Sequence, residues 1–253
     1  MTGKKALKEL MKEKSFWKGF FLNEIVFDSS SIISVSQNCL MKVLGNLSKK
    51  TTSRFLIPRA VYSESVKRPL EINKFELNAL RIKKAIDSKW LQVEKEAIDA
   101  SKIESLANNI FFSEQKPLRI IHLGEAETIA LYLKRNASIL AIDERTTRML
   151  IEEPENLAKK LRFNYRKKIK TNKVNLRNFL SVAGNIKMVR SCDLIAKAFD
   201  LGCFEGELES SVKSLEAALY ALKFNGCAVS MEEIKEYLVL LNENSQGKKK
   251  RFQ

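Results

Sequence analysis

Four acidic side chains lie at the starts and ends of predicted elements, in an order typical of one shared site. Asp28 and Asp143 each end a short apolar run, and Glu64 and Glu125 lie early in predicted helices. Carboxylates that converge without nearby bases repel one another, so they usually persist because a divalent cation lies between them. The pattern therefore predicts a site for Mg²⁺ or Mn²⁺.

The elements that position these acids predict an α/β fold. Apolar runs at 24–28, 54–57, 90–93 and 139–142 read as strands, and segments with helical periodicity separate them. This alternation predicts a mostly parallel sheet between two layers of helices, a three-layer α/β/α arrangement. Ligands of such sheets bind beyond the carboxyl ends of the strands, where all four acids are expected.

Two further acids compete for the same positions. Glu127 follows Glu125 by two residues, and Glu144 follows Asp143 directly. We favour Glu125, which comes directly after a glycine, and Asp143, which ends its strand. Glu127 and Glu144 remain as alternates.

The motifs around the acids resemble those of the PIN domain, a metal-dependent nuclease family. The resemblance rests on four motifs, which are Ile25–Ser30, Ile57–Glu64, Gly124–Leu131 and Leu140–Arg148. The third motif is similar to the Gly-Glu-x-Glu-Ala subgroup. The resemblance implies catalytic and metal-binding roles for Asp28, Glu64, Glu125 and Asp143, and a supporting hydrogen-bonding role for Ser30.

The excess positive charge is concentrated in two segments. The formal net charge is +15. Residues 156–190 carry eleven Lys and Arg but no Asp or Glu, and residues 248–251 are four further Lys and Arg. Clustered cations neutralise phosphates, and the interleaved Phe163, Tyr165 and Phe179 could stack on unpaired bases. A solvated face is the alternative, and an anionic membrane is disfavoured because the segment lacks a strong apolar face. The Lys and Arg residues expected to contact nucleic acid are Lys159, Lys160, Arg162, Arg166, Lys167, Lys168, Lys170, Lys173 and Arg177, with Arg145 and Arg148 as further candidates.

Cysteine and histidine content excludes several classes of site. The four cysteines are widely spaced and His122 is the single histidine, which excludes ordinary zinc sites and mechanisms that need two histidines. We therefore expect buried free thiols in a reducing cytoplasm. No run of residues approaches the length and apolar character of a membrane span.

The predicted organisation has five parts. They are a basic lead-in at 1–23, a PIN-like nuclease domain at 24–152, a basic insertion at 153–190, a helical extension at 191–243 and a basic disordered tail at 244–253. The expected function is a metal-dependent endoribonuclease, toxin-like or RNA-processing, that hydrolyses single-stranded RNA. A non-catalytic RNA-binding or assembly protein and a structure-specific DNA nuclease are the alternatives. A second copy of the chain or an antitoxin-like protein is a further partner that the sequence leaves open.

Overall fold

A computed structural model describes residues 23–249 of the chain. The predicted lead-in at 1–23 therefore lies almost entirely outside the described residues, as do the last four residues of the predicted tail. No helix among residues 23–249 is long and apolar enough to cross a membrane.

The central sheet has five parallel strands in the order β3-β2-β1-β6-β8. These strands are β1 (Glu24–Phe27), β2 (Arg54–Ile57), β3 (Leu91–Val93), β6 (Ile139–Ala141) and β8 (Met188–Val189). The chain proceeds from β1 to one side of the sheet and later returns to the other side of β1. This reversal leaves a crevice at the carboxyl end of β1, where ligands of open α/β sheets bind.

Helices surround the sheet. The α-helices are α1 (Ser29–Gln37), α2 (Met41–Thr51), α3 (Arg59–Tyr62), α4 (Asn73–Asp87), α5 (Ser101–Asn108), α6 (Leu123–Arg135), α7 (Arg145–Glu152), α8 (Pro154–Tyr165), α9 (Lys173–Ala183), α10 (Ser191–Asp200), α11 (Val212–Phe224) and α12 (Met231–Lys249). A π-helical turn, Ser63–Lys67, continues α3, and a 3₁₀ turn, Pro69–Glu71, follows it.

Alternating strand residues separate two hydrophobic cores. Ile25 and Phe27 of β1 point into a core that is formed with α1, α2, α4 and the C-terminal helices. Val26, between them, points into a second core with α5 to α9. Because successive side chains of a strand face opposite sides of a sheet, both faces are covered by helices. The predicted α/β/α architecture is confirmed.

The segment predicted as a basic insertion has its own secondary structure. It contains α8, β7 (Ile169–Thr171), α9 and β8. Strand β7 pairs with β4 (Phe111–Ser113) in a small antiparallel sheet that also includes β5 (Lys116–Pro117). Strand β8 completes the central sheet beside β6, so this segment contributes directly to the architecture that surrounds the acids.

The C-terminal helices share the first core with the sheet. Leu194 of α10, Leu219 of α11 and Tyr237 of α12 are buried in the same cluster as Ile25. Helix α12 continues to Lys249, beyond the predicted helical extension at 191–243, so the predicted tail at 244–253 begins inside this helix.

Candidate metal centre

Asp28 lies at the carboxyl end of β1 and caps helix α1. Its Oδ2 accepts hydrogen bonds from the Ser30 backbone N–H at 2.9 Å and from Ser30 Oγ at 2.6 Å. Its Oδ1 is buried and has no hydrogen-bond partner among the described residues. Burial, together with the charge of Glu64, raises the pKa of Asp28 to about 6, although the Ser30 hydrogen bonds lower it. The side chain thus holds a negative charge at a cost that the protein alone does not offset.

Glu64 lies in the π-helical turn that follows α3. Its carboxylate packs against the start of α6, where a Cβ atom on Gly124 would lie 2.7 Å from Glu64 Oε2 and 2.9 Å from Oε1. Only glycine leaves this space. Because Gly124 directly precedes Glu125, this contact brings Glu64 to the start of α6 beside Glu125. Glu64 also lies in a π-helical turn, and such turns often occur at functional sites.

Glu125 belongs to the first turn of α6. Its Oε2 accepts a hydrogen bond of 2.7 Å from the His122 backbone N–H, which caps the helix. Burial and the charge of Asp28 raise the pKa of Glu125 to about 7, with a smaller contribution from Glu144. Asp28, Glu64 and Glu125 therefore interact in one electrostatic unit.

Glu127, the alternate to Glu125, has a different contact. Its Oε2 accepts a hydrogen bond of 2.9 Å from the Ala60 backbone N–H. This bond satisfies an otherwise unpaired donor at the start of α3 and joins α3 to α6. The structure therefore gives Glu127 a helix-capping contact.

Asp143 lies beside this group, and both of its oxygens are already bonded. The Ser191 backbone N–H donates to Oδ1 and Ser191 Oγ donates to Oδ2, each at 2.6 Å. Asp143 is buried, and burial raises its pKa although the Ser191 bonds lower it. The sequence favoured Asp143 as the fourth metal ligand, whereas the structure turns its carboxylate toward the start of α10.

Whereas Asp143 is bonded to Ser191, its neighbour Glu144 interacts with the other acids. Its charge contributes to the raised pKa of Glu125, and one oxygen caps α7 by accepting from the Thr147 N–H at 2.6 Å. Ser30 connects Asp28 to the loop that carries Asp143 and Glu144. Its Oγ accepts from the backbone N–H groups of Asp143 and Glu144 at 3.0 and 3.1 Å while it donates to Asp28. We call Asp28, Glu64, Glu125 and Glu144 the acid site.

The acid site fits a hard divalent cation by its chemistry. It offers carboxylate oxygens that raise each other's pKa and one buried oxygen without a partner. Across residues 23–249, no three His, Cys, Asp or Glu side chains form a ready-made metal-binding group. A cation would therefore have to draw the flexible glutamates closer to Asp28.

A family model described as a PIN domain matches residues 24–155, just over half of the chain. The chain belongs to the PIN domain family. The matched residues include every carboxylate of the acid site. No curated protein and no solved structure matches the chain. PIN domains are generally nucleases and typically use divalent metals, whereas the Gly-Glu-x-Glu-Ala subgroup remains a prediction.

A second group of buried charges lies beyond the residues that the PIN domain model matches. Arg190 donates to Asp193, to Glu233 Oε1 at 2.9 Å and to the Ala228 carbonyl at 2.9 Å. Tyr237 also donates to Asp193. Burial alone would raise the pKa of Asp193, but the charge and hydrogen bonds of Arg190 hold it below its ordinary value. We call Arg190, Asp193, Glu233 and Tyr237 the Arg190 network.

Sequence reasoning missed this network because Arg190 was counted with the surface bases of the basic segment. It is instead only 5% exposed. The spacing of Arg190 and Asp193, three residues apart at a helix start, was the available signal. The network fixes the start of α10, where Ser191 holds Asp143.

The bases expected to contact nucleic acid lie mostly at the surface of α8, β7 and α9. Lys160 is half-buried, and the others from Lys159 to Arg177 are exposed. Phe163 is 83% exposed, whereas Phe179 is 1% exposed, so the prediction that Phe179 is available for stacking is wrong. Its ring belongs to the second core because α9 packs there.

Although residues 156–190 contain no Asp or Glu, Lys and Arg side chains of this segment form ion pairs with acids from outside it. Lys167 pairs with Glu114 of the β4–β5 turn at 3.0 Å. Arg148 pairs with Glu152 at 3.4 Å, whereas Arg145 is exposed beside Glu144.

Three of the four cysteines, Cys192, Cys203 and Cys227, are buried free thiols, and Cys39 is exposed.

Proposed function

We propose that this PIN domain protein is a divalent-metal-dependent endoribonuclease that hydrolyses phosphodiester bonds in single-stranded RNA. The observation that carries the proposal is the buried Oδ1 of Asp28, which has no hydrogen-bond partner among the described residues, in a side chain whose pKa is raised by burial and by the charge of Glu64. A purely structural carboxylate would be compensated by bases or hydrogen-bond donors.

The residues that would hold the ion are Asp28, Glu64, Glu125 and Glu144. Their hard oxygens suit Mg²⁺ or Mn²⁺, which keep several waters in their coordination shell. Such an ion, when bound, supplies a water of lowered pKa and shields the charge of a phosphate. No histidine base is needed, in keeping with a chain that has one histidine.

The chain's own residues orient the acids. Ser30 fixes Oδ2 of Asp28, whereas Oδ1 has no hydrogen-bond partner among the described residues. Gly124 allows Glu64 to approach, and the His122 N–H holds one oxygen of Glu125. Asp143, held by Ser191, acts as a positioning residue for the loop that carries Glu144.

Nucleic acid is the substrate that best fits the charge distribution. The exposed Lys and Arg side chains of α8, β7 and α9 would neutralise phosphates, and release of counterions would favour binding. Exposed Phe163 and Tyr165 offer rings on which unpaired bases can stack, which favours a single strand.

A cleavage assay tests the proposal. End-labelled single-stranded RNA, single-stranded DNA and a DNA flap are incubated with Mg²⁺ or Mn²⁺, and products are resolved on a gel. We expect cleavage of the RNA that EDTA stops and that Asp28→Asn lowers by at least about a hundredfold, the scale on which loss of a catalytic electrostatic group acts.

Asp87→Asn is the matched control, since Asp87 is exposed and pairs with Lys83 in α4. It should cleave as the parent does. Cleavage in EDTA, or by the Asp28→Asn variant at the parental rate, would contradict the mechanism. Cleavage of the flap alone would favour a DNA nuclease, and binding without cleavage would favour a non-catalytic RNA-binding protein.

A further inference from the structure

A cleft lies between helix α1 and the turn that joins α11 to α12. Its volume is about 450 Å³, within the range of roughly 300–1,000 Å³ that is common for small-molecule sites. One wall comes from α1, a second from the loop after β6, and a third from the turn. The residues used below are Ser34, Gln37, Glu144, Arg145, Asn225 and Ala228, all of which line the cleft.

The cleft is continuous with the acid site. Glu144 of the acid site lines the cleft, and its charge acts on Glu125. Ser30 also lines the cleft, and its Oγ donates to Asp28 of the acid site. A strand whose phosphate lies at the acid site would therefore place a neighbouring nucleotide in the cleft.

The turn that forms the third wall is fixed in place. Arg190 donates to the Ala228 carbonyl at 2.9 Å, and Asn225 Nδ2 donates to Asn38 Oδ1 at 2.7 Å. This wall lies outside residues 24–155, which the PIN domain model matches. It is thus a feature that the C-terminal part of this chain adds.

A buried donor in the cleft lacks a partner. Ser34 is 2% exposed, and its Oγ has no hydrogen-bond partner among the described residues. A buried hydroxyl without a partner destabilises a protein, because its hydrogen bonds to water are lost without replacement. Ser34 also lines the cleft, so a ligand that enters it and reaches this hydroxyl would supply the missing hydrogen bond.

We propose that this cleft binds one unpaired nucleotide of the substrate strand, adjacent to the phosphate that is cleaved. The assignment rests on the proposed function and extends it to substrate recognition. The Ser34 hydroxyl, the Gln37 amide and the amide oxygen of Asn225 are groups suited to the edge of a nucleobase, whereas Asn225 Nδ2 already donates to Asn38 and Ala221. Exposed Arg145 supplies a cation for the adjoining phosphate.

Two pairs of variants test the cleft, each in the full chain with the Asp28→Asn change so that substrate is not consumed. Ser34→Ala is compared with Ser36→Ala, a buried serine of the same helix whose Oγ donates to the Asn78 carbonyl. Gln37→Glu is compared with Gln92→Glu, an exposed position on β3 that gives the same net charge. Binding of fluorescein-labelled oligouridylate is measured by anisotropy, and stability is measured by thermal unfolding.

The expected results separate recognition from folding. Ser34→Ala should weaken binding roughly fivefold, the effect of one hydrogen bond, and should leave the melting temperature unchanged or higher. Ser36→Ala should lower the melting temperature and leave binding unchanged. Gln37→Glu should weaken binding more than Gln92→Glu because its carboxylate would face the strand.

Equal binding by the parent background and Ser34→Ala, or by the two glutamate variants, would overturn the cleft assignment even if RNA still binds elsewhere. A parent that binds neither RNA nor the matching DNA would overturn both proposals. If Ser34→Ala weakens binding but the unmodified chain never cleaves RNA, the nucleotide site stands and the nuclease proposal fails.

Discussion

The acid site and the Arg190 network are both groups of buried charges, but only one of them is balanced. In the network, Arg190 contacts Asp193 and Glu233, and nearly every polar atom has a partner. In the acid site, Asp28 and Glu125 have raised pKa values, and Oδ1 of Asp28 has no hydrogen-bond partner within residues 23–249. The charges of the Arg190 network compensate one another within the protein, whereas those of the acid site would be compensated by the proposed metal ion.

The two groups are also physically connected. Asp143 accepts both of its hydrogen bonds from Ser191, which directly follows Arg190. The loop after Asp143 carries Glu144 into the acid site. The Arg190 network therefore holds one side of the acid site. Because the charges of the network are balanced and those of the acid site are not, loss of a charge should lower the unfolding free energy in the network and raise it in the acid site.

The largest effect is expected from Arg190→Met. It leaves Asp193 and Glu233 without their buried partner, and breaking such a pair costs about 3–5 kcal/mol of unfolding free energy. Urea denaturation measures this loss. Arg54→Met removes the same charge from an exposed pair with Glu24 and should cost less than about 1 kcal/mol. Equal losses in the two variants would mean that the network does not stabilise the fold.

Asp28→Asn should act in the opposite direction in metal-free protein. Asparagine keeps the helix cap but removes a desolvated charge, so stability at pH 8 should rise by about 1–3 kcal/mol. The gain should disappear near pH 4. Urea denaturation across pH measures it, and a loss of stability at pH 8 would show that the Asp28 charge is compensated.

The sign of this pH dependence follows from the raised pKa values. The folded pKa of Asp28, about 6, lies above its ordinary value of 3.8, and that of Glu125, about 7, lies above 4.5. Between those values the folded protein binds more protons than the unfolded chain. Parent stability is therefore highest below pH 4 as far as these groups are concerned, and falls as pH rises toward 7.

The smallest change in stability is expected from Gly124→Ala. The new methyl group would displace the Glu64 carboxylate but suits the first turn of a helix, so unfolding free energy should change by less than about 1 kcal/mol. Cleavage should fall on the order of a hundredfold, because misplacement by about 1 Å has that effect.

Adding Glu64→Asp should restore part of the lost cleavage, since the shorter side chain makes room for the methyl group. Unchanged cleavage in Gly124→Ala would show that the position of Glu64 beside α6 is not needed for catalysis.

The acid site could be predicted from sequence as far as local patterns determine it. Residues 54–57 form β2 as predicted, because a run of apolar residues before a proline suits a buried strand. Asp28 directly follows β1, because Ile25, Val26 and Phe27 are likewise an apolar run that suits a buried strand. The family motifs then located Glu64 and Glu125.

The choice between Asp143 and Glu144 could not be made from sequence. Both follow β6, and which carboxylate turns into the crevice depends on Ser191, forty-eight positions along the chain. Strand β8 was missed because two apolar residues carry no periodicity. Arg190 and Phe179 were misread for a related reason, since their burial depends on packing between distant elements.

Proton release on metal binding tests the central claim most directly. Mn²⁺ is titrated calorimetrically into the protein at pH 6 and pH 8, in buffers of different ionisation enthalpy. Because metal ligands must be deprotonated, binding should release roughly one to one and a half protons at pH 6 and nearly none at pH 8, as pKa values of about 6 and 7 require. Asp28→Asn should bind Mn²⁺ far more weakly. Binding without proton release at pH 6, or equal binding by Asp28→Asn, would contradict the assignment of the acid site as a metal centre.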